Sequence, residues 1–261
     1  MRPVMFLTRA ERRRVRRRRR LFLFFALLIA LVAIASALDH PHAHPGHRSH
    51  SRGQATSVPR HPPSAKAAKQ LATPESLGSA TGTDLRWVDF HGIQLPTSTA
   101  AGPHYTRGGL AWGFADTAEG ALLAAVNIAV RTAAQWGPDI YQPTIHHQVT
   151  GPDAATLLKA DASGYTALRV AAHVPPGQPT GRGYAVEGGF RFVAYTPADA
   201  TVDIVTEGPG SGGTTVRTAT RVEVVWLRGD WRVLAPPGGD WANSATAISS
   251  LTGYTTFPNE G

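Results

Sequence analysis

The pattern of apolar and polar residues divides the chain into three stretches of different character. Residues 21–38, LFLFFALLIALVAIASAL, carry no charge, and Ser36 is their only polar residue. Residues 39–84 are rich in His, Pro, Ser and Ala and show no apolar periodicity, which predicts a disordered His/Pro-rich linker. From Leu85 onward, apolar residues recur at helical and strand spacings. We therefore predict one folded domain at 85–261, large enough to bury a core.

The apolar run predicts a transmembrane helix. Its 18 residues would rise about 27 Å as a helix, close to the roughly 30 Å hydrocarbon core of a bilayer. The residues directly before it are Arg16, Arg17, Arg18, Arg19 and Arg20. Because positive flanks stay in the cytoplasm, we expect a cytoplasmic tail at 1–20 and an extracytoplasmic domain.

A cleaved signal peptide is the alternative to a retained anchor. Ala35-Ser36-Ala37 fits the small-x-small pattern of a cleavage site. Against cleavage, the long arginine tail is unusual for a signal peptide and could lie on anionic lipid as a second anchor. We predict a signal anchor in the cell membrane, and both interpretations place the folded domain outside the cytoplasm.

The net positive charge of the chain comes from its tail. Ten arginines and Glu11 give residues 1–20 a net charge of +9, whereas the whole chain carries +8, so the other 241 residues sum to −1. A nucleic-acid-binding domain carries its own excess of Lys and Arg. We therefore expect no direct nucleic-acid binding by the outer domain.

The linker contains closely spaced histidines without a complete metal site. His40, His42, His44 and His47 are weak candidates for a transition metal. The intervening prolines stiffen the chain, and no acidic or thiolate ligand completes the set. The chain also has no cysteine, which excludes disulfides and a thiol nucleophile. We assign no metal and no cofactor.

The folded domain begins with extended segments and two helices. Apolar residues alternate from Trp87 to Leu95 and again from Leu110 to Phe114, which predicts short extended segments. A helix is expected to start at Asp116-Thr117, which supply an N-cap, and to end at Gly137-Pro138. A second helix is expected from about Pro152 to the loop at 175–177.

A strand meander is expected to follow the helices. Period-two alternation predicts a strand through Phe190, a return strand through Val202, a longer strand over 215–227 and a last strand from Trp231, joined by tight turns. Helices followed by an antiparallel meander predict an α+β fold, with helices packed on one face of a curved antiparallel sheet.

The end of the meander resembles the cone-shaped, nuclear-transport-factor-like fold. A penultimate strand, a tight turn and a GDWRV ending are common in that fold, and residues 226–233 read WLRGDWRV. The resemblance implies a cone whose helices cover a twisted sheet.

A closer resemblance covers residues 87–257. It is to a family of actinobacterial membrane proteins found on integrative and conjugative elements, whose members carry a basic tail, one span and such an outer domain. The similar segments are Gly92–Pro96, Ala101–Pro103, Gly113–Ala115, Gly120–Val126, Gln148–Asp153, Gly189–Val193 and Leu251–Tyr254. The layout is similar to that of type IV secretion assembly factors and of TcpC-type conjugation proteins, although the TcpC-type proteins have two outer domains.

This resemblance implies a membrane-anchored scaffold of a DNA-transfer channel, with itself and other channel subunits as partners. The alternatives are an extracytoplasmic domain that binds a small ligand or is an enzyme, and a sensor that signals through the arginine tail. In a cone-shaped enzyme a tyrosine and an acid would line the pocket. The candidates are Tyr141, Tyr165, Asp139, Asp153, His146 and His147.

Each of these candidates also has a structural interpretation, and no Ser-His-Asp spacing, helical metal-ligand pair or phosphate loop accompanies them. We therefore predict that the protein is not an enzyme. Trp241 stands in a Gly/Pro/Asn/Ser loop and is a candidate interface residue, since Trp is enriched at interfaces.

Overall fold

The computed structural model describes residues 84–183, 185–210 and 213–258. The predicted tail, transmembrane helix and almost all of the predicted linker, with the five arginines and the four candidate metal ligands, lie outside the described residues. Within them, no helix is long and apolar enough to cross a membrane. The helices are α1 (Ala118–Arg131), α2 (Pro138–Gln148) and α3 (Ala154–Ala172).

The strands form one large sheet and two separate hairpins. The strands are β1 (Arg86–Phe90), β2 (Ile93–Thr97), β3 (Tyr105–Arg107), β4 (Leu110–Trp112), β5 (Val149–Thr150), β6 (Val186–Tyr195), β7 (Asp199–Pro209), β8 (Thr215–Leu227), β9 (Asp230–Leu234), β10 (Ala245–Ile248) and β11 (Thr255–Thr256). β1 pairs with β2 and β3 with β4, and the other strands build the large sheet. The predicted α+β class is confirmed.

The large sheet is an antiparallel meander with short additions at its edges. Its strand order is β11-β6-β7-β8-β9-β5, and only the pairing of β5 with β9 is parallel. The 13 residues of β8 give it room for two partners on its second edge. β9 pairs with its C-terminal half and β10 with its N-terminal half.

Two irregularities bend β6. Its register against β7 shifts between Glu187 and Gly189 and again between Phe192 and Ala194. Such bulges bend a strand and increase its twist. The expected alternation of inward-facing residues therefore holds for Phe190 and Phe192, which are buried, and breaks before Ala194, which is exposed.

The core lies between this sheet and α1. Residues 120–128 of α1 are buried without interruption, because the sheet covers one side of the helix and β2 and β4 contact it as well. Thr117 caps the helix by accepting a hydrogen bond from the Gly120 N–H at 3.1 Å. A Cβ at Gly120 would collide with the carbonyl oxygen of Ala115, so only glycine fits at this position.

The predicted end of the first helix was wrong. α1 ends at Arg131, Ala133 is extended, and a short 3₁₀ turn occupies Ala134–Trp136. Gly137 and Pro138 then begin α2, because proline is well suited to the first turn of a helix, where its missing N–H has no partner to lose. His146 and His147 consequently lie in the last turn of a helix that the sequence analysis did not predict.

The first extended segment is also more structured than predicted. β1 and β2 are two strands of a hairpin, with the register Phe90 opposite Ile93. The chain reverses at His91 and Gly92, whose φ angles are 52° and 95°. Positive φ at both central residues is typical of a two-residue hairpin turn. The second strand-like segment also forms a hairpin, β3–β4.

Asp230, the first residue of β9, joins the sheet to the segment that precedes α1. Its Oδ2 accepts a hydrogen bond from the Gly113 N–H at 3.0 Å, and its Oδ1 accepts one from the Phe114 N–H at 3.1 Å. The indole Nε1 of Trp231 donates to the Ala115 carbonyl at 2.9 Å. Both side chains are buried. We call this set of contacts the Asp230–Trp231 clamp.

We predict that Asp230→Ala destabilises the domain by about 2–4 kcal/mol, because two buried backbone N–H groups lose a charged acceptor. Urea unfolding followed by tryptophan fluorescence measures the loss. Glu223→Ala is the matched control, since Glu223 is an exposed acid on β8, and it should change the free energy of unfolding by less than about 0.5 kcal/mol. Equal effects of the two variants would contradict a structural role of the clamp.

Candidate functional site

The residues considered as catalytic candidates fall into four places. Asp139 and Asp153 stand at the starts of two different helices, α2 and α3. His146 and His147 are exposed in the last turn of α2. Tyr141 and Tyr165 lie next to each other, and their rings are in contact.

The two tyrosines are buried between α2 and α3. Their ring centroids are 6.2 Å apart, and the Tyr165 hydroxyl donates to the carbonyl of Gln178 at 2.9 Å. Burial raises the pKa of Tyr141, and a hydrogen bond with Gln142 lowers it by a smaller amount. A buried hydroxyl that is bonded to a backbone carbonyl has a packing role.

A cavity of about 350 Å³ lies beside the exposed histidines. Its lining includes His146, His147, Arg228 and Arg232, with Trp112. This set is rich in basic side chains. The described residues hold no group of three or more His, Asp or Glu side chains that could bind a metal ion.

Two carboxyl groups with buried oxygens were missed by the sequence analysis. The Oδ2 of Asp161 and the Oε2 of Glu187 have no hydrogen-bond partner among the described residues. Burial raises the pKa of Glu187 to about 7, against a hydrogen bond with Thr206 that lowers it. Burial, and then the charge of Asp240, raise the pKa of Asp161 to about 7, against a backbone hydrogen bond from Ala134.

Helical spacing could have revealed one of these acids. Leu157, Asp161 and Tyr165 are four residues apart on α3, and both Leu157 and Tyr165 are buried. A polar residue in the middle of such a row is expected on the buried face. Glu187 gives no comparable signal, because the bulge after it changes which face of β6 its side chain occupies.

A larger groove of about 490 Å³ lies between the β1–β2 hairpin, the β3–β4 hairpin and the C-terminal half of α1. Apolar side chains line much of it, among them Val88, Phe90 and Leu95. Two basic residues, Arg107 and Arg131, also line it. We call it the Arg131 groove.

Arg131 is a buried cation in this groove, only 6% exposed. Its Nη1 donates to the backbone oxygen and to Oδ1 of Asn127, both at 2.8 Å. Its Cζ lies 4.4 Å from the ring centroid of Phe90. Burial lowers the pKa of Arg131 to about 10, so the guanidinium is charged at neutral pH. The ion pairs of the described residues do not include Arg131.

Trp241, the candidate interface residue, lies at the start of a short 3₁₀ turn at Trp241–Ser244. It is partly buried and packs against the core. Its Nε1 donates to the Thr132 hydroxyl at 2.9 Å. One edge of this side chain is therefore committed to packing within the domain.

A family model described as a domain of unknown function, DUF8175, matches residues 46–256. The chain belongs to the DUF8175 family. The match begins within the predicted linker and ends at Thr256, the last residue of β11, so the DUF8175 region covers every helix and strand of the described residues. No curated protein and no solved structure matches this DUF8175 chain.

Glu187 predicts a pH dependence of stability. Its pKa is raised in the folded state, so the folded chain binds more protons than the unfolded chain between about pH 4.5 and 7. Stability therefore falls as the pH rises through this window and levels off above it. Glu187→Gln removes this contribution. The free energy of unfolding of the variant minus that of the wild type should therefore increase by about 2–3 kcal/mol from pH 5 to pH 8.

Urea unfolding of both proteins at the two pH values measures this difference. Glu223→Gln, at an exposed acid on β8, is the control and should follow the wild type at both pH values. A Glu187→Gln variant that also follows the wild type at both would contradict the raised pKa.

Proposed function

We propose that the chain is a single-pass membrane-anchored assembly component of a conjugative DNA-transfer apparatus. Its outer domain, residues 85–261, would act through contacts with other copies of itself and with channel subunits. The sequence resemblance described above motivates this proposal, together with a basic tail and apolar run before the domain. The domain carries 11 Lys and Arg against 14 Asp and Glu, a net charge of −3, which supports a role in building the conduit rather than in gripping DNA.

We also propose a more specific fold than the α+β class. We assign the domain to the nuclear-transport-factor-like cones because helices precede a bent antiparallel meander that ends in GDWRV. The bulges in β6 supply the bending that a cone requires.

The filled interior of the domain is the observation that best supports a scaffold over an enzyme. In an enzyme with this layout, the space between the helices and the concave sheet face would hold the substrate. Here Phe190, Val202, Val222 and Trp231 from the sheet are at most 1% exposed, as are Leu122 and Leu123 of α1. These side chains occupy the position where a substrate would lie.

The hydrogen bonds of the Asp230–Trp231 clamp also support a scaffold over an enzyme. Asp230 is the one buried acid of the GDWRV segment, and its oxygens accept hydrogen bonds from Gly113, Phe114 and its own neighbour Trp231. A buried carboxylate that accepts three hydrogen bonds from backbone N–H groups has a structural role.

Crosslinking in membranes tests the assembly proposal. We would place a photo-crosslinking amino acid at Tyr105 and, separately, at Val170, which are 59% and 60% exposed. In cells that carry the conjugative element, we expect ultraviolet light to yield species of two or more chains or adducts with a channel subunit. Leu123, fully buried in α1, is the matched control and should give neither. Monomers alone from both exposed positions would refute the proposal.

The absence of cysteine makes the topology directly testable. Single-cysteine variants Thr8→Cys, in the tail, and Ser163→Cys, on the exposed side of α3, each contain one thiol. A membrane-impermeant maleimide should label Ser163→Cys in intact cells and Thr8→Cys only after permeabilisation. Labelling of both in intact cells would contradict the orientation, and recovery of the Ser163→Cys chain without its first 37 residues would show cleavage instead of a retained anchor.

A further inference from the structure

Arg131 is unusual among the arginines of the described residues because it is both buried and without an acidic partner. Arg182, Arg191, Arg217 and Arg221 each pair with a carboxylate and are more exposed. An arginine is seldom fully buried without such a pair, since removing its charge from water is costly. The Arg131 groove thus contains a positive charge whose counterion the described residues do not supply.

We propose that the Arg131 groove binds the carboxylate of a small amphipathic organic acid. This ligand site goes beyond the proposed scaffold function and does not depend on it.

The surroundings of Arg131 hold its guanidinium in one orientation. The amide nitrogen of Asn127 donates to the carbonyls of Pro96 and Leu123, at 2.9 and 3.0 Å. Its Oδ1 is thereby directed at Nη1 of Arg131, and the Phe90 ring covers one face of the guanidinium. Nη1 is thus already engaged within the protein.

The opposite edge of the guanidinium is the one that would bind the ligand. Nε and Nη2 of Arg131 make no hydrogen bond within the described residues, in contrast to Nη1. These two nitrogens form the planar fork that matches the two oxygens of a carboxylate. Asn127 and Phe90 already hold the guanidinium in place, so this fork loses little conformational freedom when a ligand binds.

The lining of the groove favours one carboxylate with an apolar body. Val88, Phe90 and Leu95 offer apolar walls, and a volume of about 490 Å³ lies within the roughly 300–1,000 Å³ range of small-molecule sites. A phosphate would bring a second charge and three acceptor oxygens, and Arg131 is the one buried cation to meet them. Asp89 also lines the groove, but its carboxylate pairs with Arg182 at 3.1 Å.

Calorimetric titration of the full chain in lipid nanodiscs with 3-phenylpropionate tests this site. This probe has a single carboxylate on an apolar body, and a blank titration of empty nanodiscs corrects for partition into lipid. We expect saturable binding at one site per chain. The neutral analogue 3-phenylpropanamide should bind at least about tenfold more weakly, because it cannot form the charged pair.

Two substitutions at Arg131 separate the ligand site from a structural role. Arg131→Met keeps the apolar stem and removes the charge, and Arg131→Lys keeps the charge and removes the fork. Both should weaken binding of 3-phenylpropionate by about tenfold or more. The matched control is Arg217→Lys, at a partly buried arginine that pairs with Glu207 on another strand of the sheet, and it should bind like the wild type.

Thermal unfolding of each variant without ligand shows whether it is folded. Saturable binding that is lost in folded Arg131→Met or Arg131→Lys and kept in Arg217→Lys supports the site. Absence of saturable binding to the wild type overturns it, and so does equal binding of the acid and the amide. If both Arg131 variants fail to fold, the comparison of acid with amide on the wild-type chain decides the question.

Discussion

The carboxylate of Asp230 is the contact on which the arrangement of the domain depends. It lies at the first residue of β9, and its two oxygens bind the backbone of Gly113 and Phe114, more than a hundred residues earlier in the chain. Trp231 extends the same join to Ala115. Three residues beyond Ala115 the chain enters α1, the helix whose residues 120–128 are buried in the core beside the sheet. The clamp thus fixes the position of the N-terminal end of α1 relative to β9. The packing of α1 against the sheet in turn forms the core.

Sequence patterns predicted the parts of this domain that depend on local chemistry. The start of α1 follows from the capping side chain of Thr117, and the meander follows from period-two alternation around Val202 and Val222. The end of α1 was mispredicted because Gly137-Pro138 suits both a helix stop and a helix start, and only the tertiary packing of α2 decides between them. The short strands β10 and β11 gave no local signal, since their pairing depends on the edges that β8 and β6 present.

The candidate site was less visible in the sequence than the fold. An arginine in the last turn of a helix is ordinary there, because it complements the helix dipole. Nothing local distinguishes Arg131 from such a residue. Its burial arises because two hairpins, distant from it in sequence, close over the end of α1. The same reasoning applies to Glu187, whose burial depends on a bulge.

Amide hydrogen exchange at Gly113 and Phe114 tests most directly whether Asp230 holds the domain together. If the clamp is formed throughout the native state, both amides should exchange only on global unfolding, with protection equal to that of the most protected amides in α1. The neighbouring exposed turn at Gly108 should exchange rapidly and provides an internal reference. Exchange of Gly113 and Phe114 at the rate of that turn would contradict the clamp and the central role given to Asp230.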